Sequence, residues 1–181
     1  AAVARVSGVV PQIAVVTGVC GASSALAAAG ADVCIMSEEG ELFFTPPFTA
    51  AAAGDACPGA GKAAFAARAG VAALVVKNAE QAAAEAARLV KDGATVAVNS
   101  SSGLLCPDEV LKALGERFVA EGAPRGLTTI HPIAAGDMFG TKGVDHIAHK
   151  GMIARIIGGS YPSGPTNAEP PLIWQRILAE D

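Results

Sequence analysis

The stretch "PQIAVVTGVCGASSALAAAGADVCIM" (11–36) decides the fold class of this chain. Its β-branched opening predicts a buried strand over 11–18. A tight turn of small residues follows, and then the pattern predicts a helix over 23–30 and a second buried strand over 31–37. Two buried strands joined through a helix are typical of parallel pairing in an α/β protein.

The same alternation continues to the end of the chain. Further strands are predicted over 41–45, 71–77, 94–99, 126–132 and 152–159. Further helices are predicted over 62–70, 78–93, 107–122, 144–150 and 172–181, with Pro/Gly-rich loops over 46–61 and 160–171. We therefore expect an α/β chain with mainly parallel strands. The best domain boundary lies after Lys91, which gives segments 1–91 and 92–181.

Composition excludes several functional classes. Hydrophobic residues make up 51% of the chain but aromatic residues only 4%, so the core is predicted to consist largely of alanine. The net charge of −4 argues against binding to nucleic acid or to an anionic membrane, because both need clustered Lys and Arg. The cysteines lie far apart, without a C-x-x-C pair, at Cys20, Cys34, Cys57 and Cys106. This spacing favours reduced thiols in a cytoplasmic protein.

The turn within "TGVCGASSALAAAGAD" (17–32) is the first candidate site. A strand that turns tightly into a helix directs backbone N–H groups into open space, where they can hold a phosphate or a developing oxyanion. Close packing of helix on sheet would demand the same small residues, so the motif alone leaves both interpretations open. Cys20 could be a nucleophile, but the pattern favours a buried structural cysteine.

Residues 5–91 resemble the acyl-CoA-binding domain of biotin-dependent carboxyltransferases, which has a crotonase-like fold. The positions that carry the resemblance are Pro11, Ile13, Val15, Gly18, Cys20 and Asp32, followed by "GAGKAAFAARAGVAALVVKNAEQAAAEAARLV" (59–90). The resemblance implies that the backbone amides of Ala22 and Ser23 polarise the thioester carbonyl of an acyl-CoA. It also implies that carboxybiotin is held by a second domain, usually that of a neighbouring subunit.

Residues 92–178 resemble the N-terminal part of family I CoA-transferases, in a partial parallel α/β sheet. The resemblance rests on Asp92–Gly93, Val96–Val98, Pro107, "ERFVAEGAPRGLTTIH" (116–131) and "GVDHIAHKGMIARIIGGSY" (143–161). It implies that Asn99, Ser100, Ser101 and Gly103 bind substrate, although the family has G-G-F where this chain has 99–101. The family's catalytic glutamate belongs to a second half that this sequence does not contain.

The segment "GTKGVDHIAHKG" (140–151) is a candidate metal or acid–base site. His146 and His149 stand at i and i+3, on one face of a helix, where they could both bind a metal. A third ligand would have to come from Asp145 or from distant His131. We expect no metal, because the resembled enzymes are metal-free, and we expect Asp145 to cap the helix.

Together these features predict an acyl-CoA-handling transferase segment, incomplete by itself and dependent on a partner chain for catalysis. A coenzyme A thioester is the expected ligand, no covalently bound cofactor is expected, and a homo- or hetero-oligomer is expected. The alternative is a catalytically silent binding or assembly module that retains subunit-contact surfaces. The departures from glycine at 22–23 and at 99–101 favour that alternative.

Overall fold

A computed structural model describes residues 5, 7–98, 106–133, 135–136 and 142–159 of the chain. The chain divides into two compact units, Ala1–Ala86 and Ala87–Asp181. The segment boundary that the sequence predicts after Lys91 stays a prediction. The predicted helix over 172–181 lies outside the described residues, and among the described residues no helix is long and apolar enough to span a bilayer.

Unit 1 (Ala1–Ala86) contains two parallel sheets. Its strands are β1 (Ile13–Val16), β2 (Val19–Gly21), β3 (Val33–Ser37), β4 (Glu41–Phe43) and β5 (Leu74–Val76). Its helices are α1 (Ala22–Ala29), α2 (Pro47–Ala52), α3 (Ala63–Arg68) and the first part of α4 (Ala79–Leu89). The larger sheet has the order β1-β3-β5, and β2 pairs with β4 in a smaller sheet. All of these pairings are parallel.

The core of unit 1 is built largely from small side chains. Alanines of three segments pack against Met36 and Cys34 of the central strand, and the buried cluster comprises Val16, Ala28, Cys34, Met36, Ala63, Ala66 and Ala72. Small residues let the helix backbones approach the sheet closely, and interiors are packed to near-crystalline density. The alanine-rich core that the composition predicts is therefore present in this unit.

Unit 2 (Ala87–Asp181) contains one parallel sheet of order β6-β7-β8 among the described residues. Its elements are β6 (Thr95–Ala97), α5 (Asp108–Glu121), β7 (Leu127–His131), a 3-10 helix (Val144–Ile147) and β8 (Ile153–Gly158). Strand β7 alternates strictly, with Leu127, Thr129 and His131 buried. This period of two matches a central strand with one face in the core. The predicted α/β class with parallel strands is confirmed.

Several sequence predictions are wrong in detail. Residues 19–21 form strand β2 rather than a turn, because they pair with β4, a long-range contact that local pattern cannot reveal. Residues 47–52 form helix α2 within the predicted loop 46–61, because Pro47 fits the first helical turn and alanines extend it. Asp145 is not a helix cap: the helix is of 3-10 type, and its N-cap is Gly143.

Candidate functional site

The turn between β2 and α1 has an unusual backbone at Ala22. Gly21 is the N-cap of α1, with φ −120° and ψ 168°, and no side chain caps the helix. Ala22 has φ 53°, and among the described residues it is the one non-glycine residue with positive φ. Its Cβ makes this left-handed conformation unfavourable by about 1–2 kcal/mol. Glycine would adopt it freely, so alanine occupies a glycine-type position here.

The backbone amides of Ser23 and Ser24 lie in the first turn of α1, whereas the amide of Ala22 adjoins the β2–β4 ladder at the Gly21–Phe43 register pair. The first N–H groups of any helix lack an acceptor within it. Outside helices and strands, none of the described backbone hydrogen bonds starts from Ala22, Ser23 or Ser24. All three residues are exposed. The exposed N–H groups of Ser23 and Ser24 at the positive end of α1 can therefore donate to a carbonyl or anionic oxygen.

Cys20, two residues before this turn, is not activated as a nucleophile. Burial raises its pKa above the ordinary thiol value. Burial and then the nearby Cys20 raise the pKa of Cys34, which lies in the core. A thiol with a raised pKa stays protonated at neutral pH, and the thiolate is the reactive form. These directions agree with the structural role favoured for Cys20.

An aromatic side chain that the sequence reading did not single out borders the turn. Gly21 and Phe43 are register partners in the β2–β4 pair. A Cβ built at Gly21 would lie 3.1 Å from Cε2 of Phe43, so the ring covers the glycine. Only the strand register brings these two residues together, and no local sequence signal could have revealed it.

An open cleft of about 460 Å³ lies elsewhere in unit 1, along β1 and the second half of α1. Its lining comprises Gln12–Cys20, Ala27, Ala28 and Ala31, without a charged side chain. The amide-bearing residues Ala22 and Ser23 do not line it. The cleft therefore contributes no group to the turn.

In unit 2, Asp108 holds the segment that carries the two histidines. Its Oδ1 accepts the Gly143 backbone N–H at 2.6 Å and lies 3.4 Å from Nε2 of His146. His149 follows the end of the 3-10 helix, and its ring stacks on Phe118 with a centroid distance of 5.7 Å. The predicted common helical face is thus wrong, because the helix ends at Ile147.

The two histidines nevertheless line one open cleft of about 450 Å³ between α5 and the 3-10 helix. Its lining also includes Lys112, Glu116 and Asp145. His131 is buried on β7 and is not among the lining residues, and burial lowers its pKa. Within the part of the chain that the structure describes, no three metal-ligating side chains come together. The expectation of no bound metal stays a prediction.

The residues predicted to bind substrate in unit 2 cannot be placed. Asn99, Ser100, Ser101 and Gly103 lie outside the described residues. Cys106, the first described residue after them, has its pKa raised to about 11 by burial and secondarily by Asp108. This thiol is therefore protonated at neutral pH.

Comparison with known families decides the relationship of the first part of the chain. Residues 1–109 match the carboxyl transferase domain. The chain belongs to the carboxyl transferase domain family. The resemblance deduced from residues 5–91 is thereby confirmed, and the match continues to residue 109. No curated protein matches the chain.

Two matching solved structures are of an acyl-CoA transferase from Escherichia coli, one an apoenzyme and one a thioester complex with CoA. Each is 28% identical to this chain over 42% of its length, with a TM-score of 0.41. The chain spans only 15% and 16% of the length of those two structures. A superposition of this quality does not establish a shared fold.

Proposed function

We propose that unit 1 binds the acyl end of a coenzyme A thioester at the turn Gly21–Ser23, as part of an acyl-CoA carboxyltransferase. The observation that carries the proposal is the positive φ of Ala22. Strained backbone conformations persist where surrounding structure imposes them, and they cluster at functional sites. Here the strain lies at the position to which the carboxyltransferase resemblance assigns a carbonyl-polarising amide.

The chemistry of this site rests on the backbone. Amides aimed at a thioester oxygen stabilise the negative charge that develops there when the acyl group reacts. Ala22 and Ser23 stand where the resembled family has two adjacent glycines, and both residues keep their backbone N–H groups. The change of side chain therefore does not remove the hydrogen-bond donors. How many of the two amides point outward remains a prediction, and we expect one.

The proposal also extends to catalysis by the whole protein and to a second binding region. By resemblance, the carboxyl donor would be held by another domain, so turnover is proposed to need a partner chain. Asn99, Ser100, Ser101 and Gly103 are proposed to contact a CoA thioester in unit 2. The alternative function is a silent binding or assembly module, which would bind neither CoA nor its thioesters at the turn.

The test compares two substitutions at one position, Ser23→Pro and Ser23→Ala. Proline removes the backbone N–H and is tolerated in a first helical turn, whereas alanine keeps the N–H. We expect acetyl-CoA to stabilise the unchanged chain and Ser23→Ala by about 2.7 kcal/mol at a hundredfold excess over Kd. Ser23→Pro should lose most of that gain in a thermal-shift assay.

Free CoA serves as the control ligand for acetyl-CoA, because it lacks the thioester carbonyl. The amide role predicts that acetyl-CoA binds more tightly than CoA to the unchanged chain, and that Ser23→Pro removes the difference. Equal stabilisation of folded Ser23→Pro and Ser23→Ala by acetyl-CoA would contradict the proposed role of the turn. Absence of stabilisation by either ligand would favour the silent module.

A further inference from the structure

Strand β1 of unit 1 is an edge strand, and among the described residues no strand pairs with its second side. It pairs with β3 in an unbroken register from Ile13 to Val16, at the end of the order β1-β3-β5. The carbonyl of Gln12 accepts the Val33 N–H at 3.1 Å. Successive residues of a strand in such a ladder direct their peptide groups to opposite sides. The N–H and C=O groups of Ile13 and Val15 therefore face away from β3.

The open cleft of about 460 Å³ runs along this second side of β1. Its lining includes every residue from Gln12 to Thr17. The side chains of a strand alternate between its two faces, so consecutive residues meet only along its edge. Ala27, Ala28 and Ala31 border the cleft from the side of α1, and their small side chains leave room beside the strand. A neighbouring strand, at the usual spacing of about 4.7–4.9 Å, would occupy this space.

This edge lacks the features that keep edge strands from pairing. Such strands usually carry charged side chains, an internal proline or a bulge. Residues 7–31 contain no Asp, Glu, Lys or Arg, Pro11 precedes β1 rather than interrupting it, and the register with β3 has no bulge. The opposite edge of the sheet, β5, is shorter and is followed directly by Lys77. Exposed large apolar side chains lie within or close to β1 in sequence: Val9, Val10, Ile13 and Val19.

We propose that β1 is a dimerisation strand, which pairs antiparallel with β1 of a second copy of this chain around a two-fold axis at Ala14. A second copy fits this edge because both copies present the same uncharged strand, so their pairing brings no like charges together. Two-fold pairing of identical edges is necessarily antiparallel, and it joins the three strands of each copy into one continuous sheet.

The register of this pairing follows from the backbone groups that face outward. Ile13 lies opposite the partner's Val15, and the two residues exchange their outward N–H and C=O groups as a hydrogen-bonded pair. Ala14 then meets the partner's Ala14 in the closer position without hydrogen bonds, where a small residue fits. The β-branched side chains of Ile13 and the partner's Val15 form an apolar cross-strand pair.

The first experiment measures the dimer dissociation constant by analytical ultracentrifugation over a range of protein concentrations. We expect the unchanged chain to form a dimer. Ile13→Lys should raise the dissociation constant by at least about tenfold, because the two lysines would lie in diagonal positions about 7–8 Å apart in a desolvated contact. Leu74→Lys is the matched control: Leu74 lies on β5 and is 41% exposed, against 39% for Ile13. It should leave the dissociation constant unchanged.

Charge complementation distinguishes direct pairing from a folding defect. Ile13→Glu by itself should be as weakly associated as Ile13→Lys, for the same reason. A mixture of the two folded variants should form a heterodimer, because opposite charges then occupy the diagonal positions. Added salt should weaken this heterodimer by screening that attraction.

Amide hydrogen exchange provides a readout on the unchanged chain. The N–H groups of Ile13 and Val15 should exchange more slowly as the protein concentration rises, because the dimer places them in hydrogen bonds. The control is the N–H of Leu74. The neighbouring Ala73 N–H donates to the Cys34 carbonyl at 2.8 Å, so the Leu74 N–H faces away from β3 and should not respond to concentration.

A dimer that is lost in Ile13→Lys, retained in Leu74→Lys and restored by the mixture would support the proposal. A monomeric unchanged chain at every concentration, or equal weakening by Ile13→Lys and Leu74→Lys, would overturn it. If the Ile13 variants do not fold, exchange at Ile13 and Val15 that is independent of concentration would overturn it as well. The proposal does not rest on the function proposed for the turn Gly21–Ser23, so its failure leaves that function intact.

Discussion

At the scale of single residues, the most informative position is Ala22. Alanine resists positive φ, which glycine adopts freely. The structure nevertheless has a left-handed backbone at this position with alanine in place. The surrounding strand and helix therefore determine the turn more strongly than the residue's own preference does. Such a conformation is expected where the surrounding structure imposes the backbone geometry of a site.

We predict that Ala22→Gly stabilises the protein by up to about 1 kcal/mol. Glycine removes the clash of Cβ at positive φ, partly offset by the larger entropy of glycine in the unfolded chain. The same substitution at exposed Ala27, in the middle of α1, should destabilise by about 0.5–1 kcal/mol. Urea unfolding measures both variants. Equal destabilisation by the two substitutions would show that Ala22 does not adopt positive φ in solution.

A second residue-scale prediction concerns His131, whose pKa is lowered by burial. In the unfolded chain the histidine has a pKa of about 6.5. Just below that pH, His131 is protonated in the unfolded chain but stays neutral in the folded chain. Stability is fully present above pH 6.5 and is lost as the pH falls from about 6.5 toward the folded-state pKa. We expect His131→Gln to reduce this loss in the free energy of unfolding.

The control for His131→Gln is Thr129→Val, which alters a buried neighbour on the same face of β7 without removing a titrating group. Its pH dependence between 7 and about 5 should match that of the unchanged chain, whatever its absolute stability. A pH dependence in His131→Gln as steep as in the unchanged chain would rule out His131 as the source.

At the scale of elements, the sequence predicted most strands and helices because their local signals agree with the fold. Helix α4 is an example: Oδ1 of Asn78 accepts the Gln81 backbone N–H at 2.9 Å, the hydrogen bond by which an asparagine caps a helix N-terminus. Strand β2 was missed, and the helix predicted over 144–150 is a shorter 3-10 helix, because partners distant in sequence define both elements. Packing of the 3-10 helix depends on Gly115, which no helix pattern would favour.

We predict that Gly115→Ala destabilises unit 2 by about 3 kcal/mol. The added Cβ would overlap the backbone oxygen of His146, so α5 and the 3-10 helix would have to separate. Alanine is otherwise the better helix former, by about 1 kcal/mol. Ala120→Gly, at an exposed site of the same helix, should lose only about 1 kcal/mol. A Gly115→Ala variant as stable as the unchanged chain in urea unfolding would contradict this packing.

At the scale of the whole molecule, motif order predicted the family but not the site. Family membership, established over residues 1–109, agrees with the resemblance deduced from residues 5–91. The contact between Phe43 and Gly21 could not be deduced, because it depends on the register of two short strands. The predicted binding residues at 99–103 stay a prediction.

The central claim is that the turn Gly21–Ser23 binds a CoA thioester through its backbone. The most direct measurement is a ¹H–¹⁵N NMR titration of the chain with acetyl-CoA, with free CoA as the comparison. We predict saturable shifts that are largest at the amides of Ala22 and Ser23 and weaker with free CoA. Saturable binding whose largest shifts fall along the β1 cleft, or the absence of any binding, would contradict the claim.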